Sequence, residues 1–273
     1  VAEAIPRHRA RSTQRRRQRP GFLDVAGELF VTLGVLLLLF AFYEAFWTNV
    51  RSGQLQDQAN HALQESWDSG QRINPRTYKN GAQGAAFARL HIPAYGSDWN
   101  FAVMHGVDDT TLLSGPGHYE QTQGPGQAGN FALAGHRVGK GAPFNDLGKL
   151  EACDAIVIET ASEWITYRVM PMSQDAAARQ QQSHCLSPEQ AQRVATGDYA
   201  HVLGRHITLP GDVGVIAPLP GTELGVSQDL EGVLTLTTCH PQFSNAERMI
   251  VHAMKVAVEP KSEGQRPAVL KES

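Results

Sequence analysis

Cysteine is scarce in this chain: 273 residues include three, Cys153, Cys185 and Cys239. An odd number excludes a fully paired disulfide framework and marks one thiol as different from the others. No Cys-x-x-Cys pair or His-x-x-x-His frame is present, so His184, His201, His206 and His240 do not read as zinc ligands. No tight acidic cluster suggests calcium, and no metal or other cofactor is expected. Internal repeats and low-complexity tracts are also missing, which excludes an array of repeats. Charge of one sign is not in excess overall, since 24 basic and 27 acidic residues leave a net charge of -3.

That balance conceals an asymmetry. Arg7, Arg9, Arg11, Arg15, Arg16, Arg17 and Arg19 crowd the stretch before Pro20, leaving the remainder acidic. An apolar run follows, interrupted between Leu29 and Trp47 only by Thr32, Gly34 and Glu44. At about 1.5 Å rise per residue, roughly 19 residues nearly cross a hydrocarbon core about 30 Å thick. Tyr43 and Trp47 suit the interface, and arginines on the N-terminal side predict a cytoplasmic N-terminus with everything after the span outside. No small-x-small cleavage site follows in YEAFWTNVRSG, so an uncleaved anchor is expected in place of a removed signal peptide. Arginines placed directly before a span argue against nucleic acid as their partner.

The expected organisation is a basic cytoplasmic segment (1–21), a transmembrane anchor (22–48), a Gln-rich juxtamembrane spacer (49–84) and a folded domain (85–258). A loose tail (259–273) ends the chain. An apolar fraction of 41% is sufficient for a real core. Eight short runs rich in Val, Ile, Thr and aromatics lie between Gly, Pro, Asn and Asp turns: FARLHI, NFAVMHGV, NFALAGH, AIVIET, WITYRVM, GVIAPL, VLTLTTC and MIVHAMKVAV. They predict an all-β barrel or sandwich. Residues 173–212 read as an inserted loop containing a short helix, with Ser187 as N-cap and Pro188 at its first position.

Alternation in VLTLTTC puts Val233, Thr235, Thr237 and Cys239 on one face and leaves Cys239 at the strand end, just before Pro241. His136 follows the run NFALA and is preceded by glycine. Arg248 opens the last strand, and HPQFSNAE is short enough to return it beside Cys239. Taken singly, each residue has an ordinary structural reading. Together, a thiol, an imidazole and a guanidinium at neighbouring strand ends form a minimal set for thiol acyl transfer.

The patterns GPGHYEQT, PGQAGNFALAGHR, GAPF and LTLTTCHPQFSNAERMIVHA resemble the sortase family, most of all the class E sortases of high-GC Gram-positive bacteria. The resemblance covers about Phe87 to Ala257. It implies an eight-stranded sortase-type β-barrel with short helices behind one N-terminal transmembrane helix. It also implies Cys239 as nucleophile, His136 as general acid/base and Arg248 as stabiliser of substrate and oxyanion, with Tyr119 a candidate contact to the sorting signal. The implied reaction cleaves an LAxTG-like or LPxTG-like signal after threonine, holds the protein as a thioester, and transfers it to an amine of a peptidoglycan precursor. The implied partners are surface proteins bearing a C-terminal sorting signal, that cell-wall amine and the cell membrane. A pilin-polymerising sortase and a non-catalytic tethered binding barrel are the alternative functions. Family members often have glycine where Cys153 stands, and the segment holding Cys185 is longer than usual, so either a Cys153–Cys185 bond or two free thiols fits.

Overall fold

Extended backbone forms where β-branched and aromatic side chains can pack on a pleated surface, and it ends at Gly, Pro, Asn or Asp. The computed structural model describes residues 21–69, 83–139, 141–262 and 264–272. It contains β1 (Ala86–His91), β2 (Asn100–His105), β3 (Gly117–His118), β4 (Gly129–Ala134), β5 (Ala155–Glu159), β6 (Glu163–Val169), β7 (Arg205–Thr208), β8 (Gly232–His240) and β9 (Glu247–Pro260). The chain divides into two units, Val1–Glu44 and Ala45–Ser273. The arginine block and residues 70–82 of the expected spacer lie outside the described residues.

In the first unit, helix α1 (Phe22–Asp68) begins, with the carboxylate of Asp24 accepting from Gly21 N–H at 2.9 Å. Its segment Phe22–Tyr43, 22 residues long, is long and apolar enough to cross a membrane. Leu36, Leu37, Leu38 and Phe40 are all exposed, as suits a surface facing lipid.

The second unit is a closed barrel of eight strands in the order β6, β5, β1, β2, β3, β4, β8, β9, with β9 returning to β6. β9 is long enough to pair with β6 along one half and with the ninth strand, β7, along the other. The β2–β3 and β4–β8 pairs are parallel, and the remaining pairs are antiparallel. Leu90, Val103, Phe131, Leu133, Ile156, Ile158, Tyr167, Leu234, Leu236 and Val251 fill the main core. Both faces of β8 are buried, because Val233 packs in a second cluster with Met170, Val194, Tyr199 and Met254.

That second cluster is roofed by the excursion between β6 and β7. It carries α2 (Ala176–Gln181), capped by Asp175, and α3 (Pro188–Ala195), where Ser187 and Gln190 form a capping box. The expected Ser187 cap and Pro188 start are therefore observed. The excursion ends earlier than expected, since β7 occupies 205–208. Cys153 and Cys185 are disulfide-bonded across 32 residues of sequence, which ties the excursion to the chain just before β5.

The barrel has the expected number of strands, but one member is different. GVIAPL forms a 3-10 turn (Val213–Ile216) instead of a strand. Pro218 and Pro220 have no N–H to give a ladder, and the carbonyls of Val215 and Ala217 are taken by Asn130 Nδ2. β3 fills the place, too short for any periodic signal. Two flanking segments also differ from expectation. The end of α1 packs against the barrel, with Leu63 1% exposed against Ala102 and Met104. The C-terminal tail is held: Leu270 is buried beside Val157 and Trp164, and Glu272 makes a bidentate pair with Arg168.

Candidate active site

Three strand ends meet at one rim of the barrel. β4 and β8 run parallel with Ala134 opposite Thr237, so His136 and Cys239, two residues further on, leave the sheet at the same end and on the same face. Pairing persists past the ladder, with Gly135 N–H donating to Thr237 O at 3.0 Å and Thr238 Oγ1 donating to Gly135 O at 2.7 Å. β8 and β9 are antiparallel, and Cys239 and Arg248 are direct partners, which puts both side chains on one face. The three residues expected to act together are brought together.

Local sequence explains the shape of this rim. A Cβ on Gly135 would lie 2.5 Å from the ring of Phe144, which is buried and whose N–H donates to His136 O at 3.0 Å. Only glycine lets the chain after β4 fold back so closely. The threonines of TLTTC each have a partner. Thr235 Oγ1 bonds Asn130 Oδ1 (2.7 Å) and His252 Nδ1 (2.9 Å), and Thr237 Oγ1 meets Tyr119 OH at 3.1 Å. Tyr119 is thus placed on the face of β8 that carries Cys239, one side-chain step away.

Cys239 is partly exposed and is the free cysteine of the chain. Its Sγ donates to Asn245 Oδ1 at 3.1 Å. Arg248 Nη1 donates to the carbonyls of Asn245 (3.2 Å) and Glu247 (2.9 Å), so the guanidinium braces the β8–β9 turn beside the thiol. Asn245, Arg137, His240 and Glu247 complete the rim; of these, sequence analysis names only His240, as a histidine not expected to bind zinc. Arg137 Nη1 donates to Cys239 O at 3.3 Å and to His240 Nδ1, while His240 Nε2 lies 3.9 Å from Glu247 Oε2. Arg137 and His240 adjoin His136 and Cys239 in the sequence, and Asn245 and Glu247 lie just before Arg248, which is the only signal they carry.

The other histidines named from the sequence lie away from this rim, His184 with its Nδ1 3.3 Å from Gln181 O. His201 Nε2 contacts Pro220 O at 2.8 Å, and His206 stacks on His252. Among the described residues, no group of three or more His, Cys, Asp or Glu side chains is placed to hold a metal ion.

Comparison with known proteins gives the family of this fold. The family described as Sortase domain matches residues 90–256, from within β1 to within β9. Sortase SrtE1 of Streptomyces coelicolor is 34% identical over 94% of this chain, which spans 65% of that relative's length. Among solved structures, the SrtF sortase of Corynebacterium diphtheriae is 55% identical, with a TM-score of 0.70, over 74% of this chain and 100% of that one. Sortase E of Streptomyces avermitilis is 33% identical, with a TM-score of 0.50, over 70% of this chain and 99% of that one. With the family match covering the barrel and class E sortases among its relatives, the chain belongs to the sortase family of cysteine transpeptidases.

Proposed function

We propose that this chain is a membrane-anchored transpeptidase that joins surface proteins to an amine of a cell-wall precursor. One observation carries the reading: parallel β4–β8 and antiparallel β8–β9 pairing deliver His136, Cys239 and Arg248 to one rim. Cys239 Sγ attacks the threonine carbonyl of an LAxTG-like or LPxTG-like signal, and its proton passes to His136. The Arg248 guanidinium faces the oxyanion that develops on that carbonyl oxygen. His136 then protonates the departing glycine amine, and a thioester remains on Cys239. The acceptor amine attacks the thioester, loses its proton through His136, and releases the enzyme with the thiol restored. Acyl transfer of this kind balances with thiol, imidazole and amine alone.

Tyr119 lies on the same face and is proposed to contact the sorting signal, its hydroxyl already poised on Thr237. The apolar segment Phe22–Tyr43 supports anchoring to the cell membrane, and the arginines before it support a cytoplasmic N-terminus with the barrel outside. Sorting signals and wall precursors would meet the enzyme there.

The test uses the detergent-solubilised chain, intact and as Cys239→Ala, with LAxTG and LPxTG peptides and an amine acceptor, followed by mass spectrometry. The expected outcome is an acyl adduct on Cys239 and an amine-dependent ligation product, both lost in the variant. A folded, reduced enzyme that forms neither adduct nor product with either peptide would overturn the reading.

A further inference from the structure

The end of β8 is fastened to the end of β4 by side chains where the backbone ladder has stopped. On the barrel side of the reactive pair, Thr238 Oγ1 reaches Gly135 O at 2.7 Å. Two residues beyond Gly135, Arg137 Nη1 reaches the carbonyl of Cys239 itself at 3.3 Å. His136 stands between Gly135 and Arg137, and Cys239 follows Thr238, so the two side-chain bonds bracket the imidazole and the thiol. The same Nη1 donates to His240 Nδ1, which makes Nδ1 the acceptor and leaves the proton on Nε2, toward Glu247. Arg137 forms no ion pair among the described residues, and its Nε is buried without a hydrogen-bond partner. A guanidinium spent on carbonyl and ring acceptors, and not on a carboxylate, is holding geometry, because those acceptors offer less than an ion pair would.

We propose that Arg137 is a positioning residue for acyl transfer, a side-chain staple that keeps the Cys239 backbone in register with His136. This rests on the reading of Cys239 and His136 as the reacting pair. β8 remains paired to β9 at Cys239, but its ladder to β4 ends at Ala134 and Thr237. Nothing in the sheet therefore fixes Cys239 against His136, and an error of about 1 Å between thiol and base costs up to about 100-fold in rate. Both bonds come from the one terminal nitrogen, whose two N–H groups the planar guanidinium holds at a fixed angle, whereas the donors of a lysine ammonium rotate.

The test uses the full-length chain in detergent with two acyl donors. One is the sorting peptide with an amine acceptor. The other is p-nitrophenyl acetate, which acetylates Cys239 Sγ and releases p-nitrophenolate while the thiol proton passes to His136; this donor requires no sorting signal. Arg137→Gln is expected to slow the acetylation burst and the peptide kcat by about 10- to 100-fold, with KM within about 2-fold. Arg137→Lys should recover part of the loss, since one N–H can still reach Cys239 O. Arg168→Gln is the remote control, because Arg168 also donates to a cysteine carbonyl, that of Cys153, at 3.1 Å. It should leave both rates unchanged. An Arg137→Gln enzyme that acetylates at the wild-type rate, or a Lys variant no better than Gln, would overturn the staple. A wild-type burst at Cys239 without peptide turnover would instead count against the sorting-signal reading and leave the Arg137 comparison measurable. A loss of rate explained by a matching fall in melting temperature would also overturn it.

Discussion

The excursion over the outer face of β8 and the reactive rim at its end are held in opposite ways. In the excursion, Arg179 is 1% exposed and donates to the carbonyls of Pro171, Ser173, Val194, Tyr199 and Val202. A capping box starts α3, Arg193 pairs with Asp198 and Glu231, and a disulfide closes the segment. At the rim, Cys239 Sγ bonds the side chain of Asn245 in a turn, and the partners of Arg248 are carbonyls of that same turn. Stability is concentrated where nothing reacts. The rim keeps its groups addressable, as groups that must exchange partners during a reaction require.

The contrast can be broken from either side. The largest effect is expected from His136→Ala, which should slow acylation of Cys239 by about 10²- to 10⁴-fold while thermal unfolding stays nearly unchanged. A melting curve that collapses with the activity would show that the rim also carries the fold. Arg179→Met should do the reverse, destabilising the domain by about 3–5 kcal/mol, because five carbonyls lose a side-chain donor and, among the described residues, only those of Pro171 and Tyr199 keep a backbone N–H. Transfer measured well below its melting temperature should remain near wild type. Reduction of the Cys153–Cys185 bond, or its replacement by two serines, should cost at most about 3–4 kcal/mol by loop closure over 32 residues. Denaturant titration with and without reductant measures it.

A smaller and graded effect should follow pH. Burial pushes His252, against Thr235, down to about 3, and His118 down to about 4. Both take up a proton more readily when unfolded, so their contribution is fully present above the usual histidine value of about 6.5. It is lost progressively as pH falls from there toward 4 and then 3. Stability should therefore decline with acid in this window, with net proton uptake on unfolding, and His252→Asn should flatten the slope below pH 6. A slope identical to wild type would place the titration elsewhere.

A second buried site behaves alike for another reason. Glu159 is pushed up by burial, but hydrogen bonds from His91 and Lys261 and the charge of Lys261 and Arg89 outweigh it and hold the carboxylate at about 2. Lys261 and Arg89 also lie over the ring of Trp67 at the end of α1. This polar cluster thus helps tie the helix end to the barrel wall. Nothing in the Gln-rich sequence of residues 49–69 announced that contact, since the partners are distant in the chain.

Much of the barrel was legible because its strands are local objects. Seven of the eight expected runs are strands, each carrying β-branched or aromatic residues between turn formers. GVIAPL misled because its apolar content matched a strand while its prolines and the pull of Asn130 fixed a 3-10 turn. β3 and β7 escaped because two and four residues are too few to show a period. At the rim, Cys239 and Arg248 were within reach of sequence reasoning, as a hairpin with a short turn joins them. Asn245 and Arg137 were not, because a turn amide and an arginine next to a histidine carry no spacing signal of their own.

By itself, the sequence determined the long apolar segment, the alternating strands, the Ser187 cap with Pro188 after it and the odd thiol, all set by the residue's own chemistry or its near neighbours. Tertiary structure alone decided that β4 lies parallel to β8, which cysteines pair, and that Arg137 grips the carbonyl of Cys239. Those contacts join residues 32 to 103 positions apart, and only the closure of the barrel sets their register.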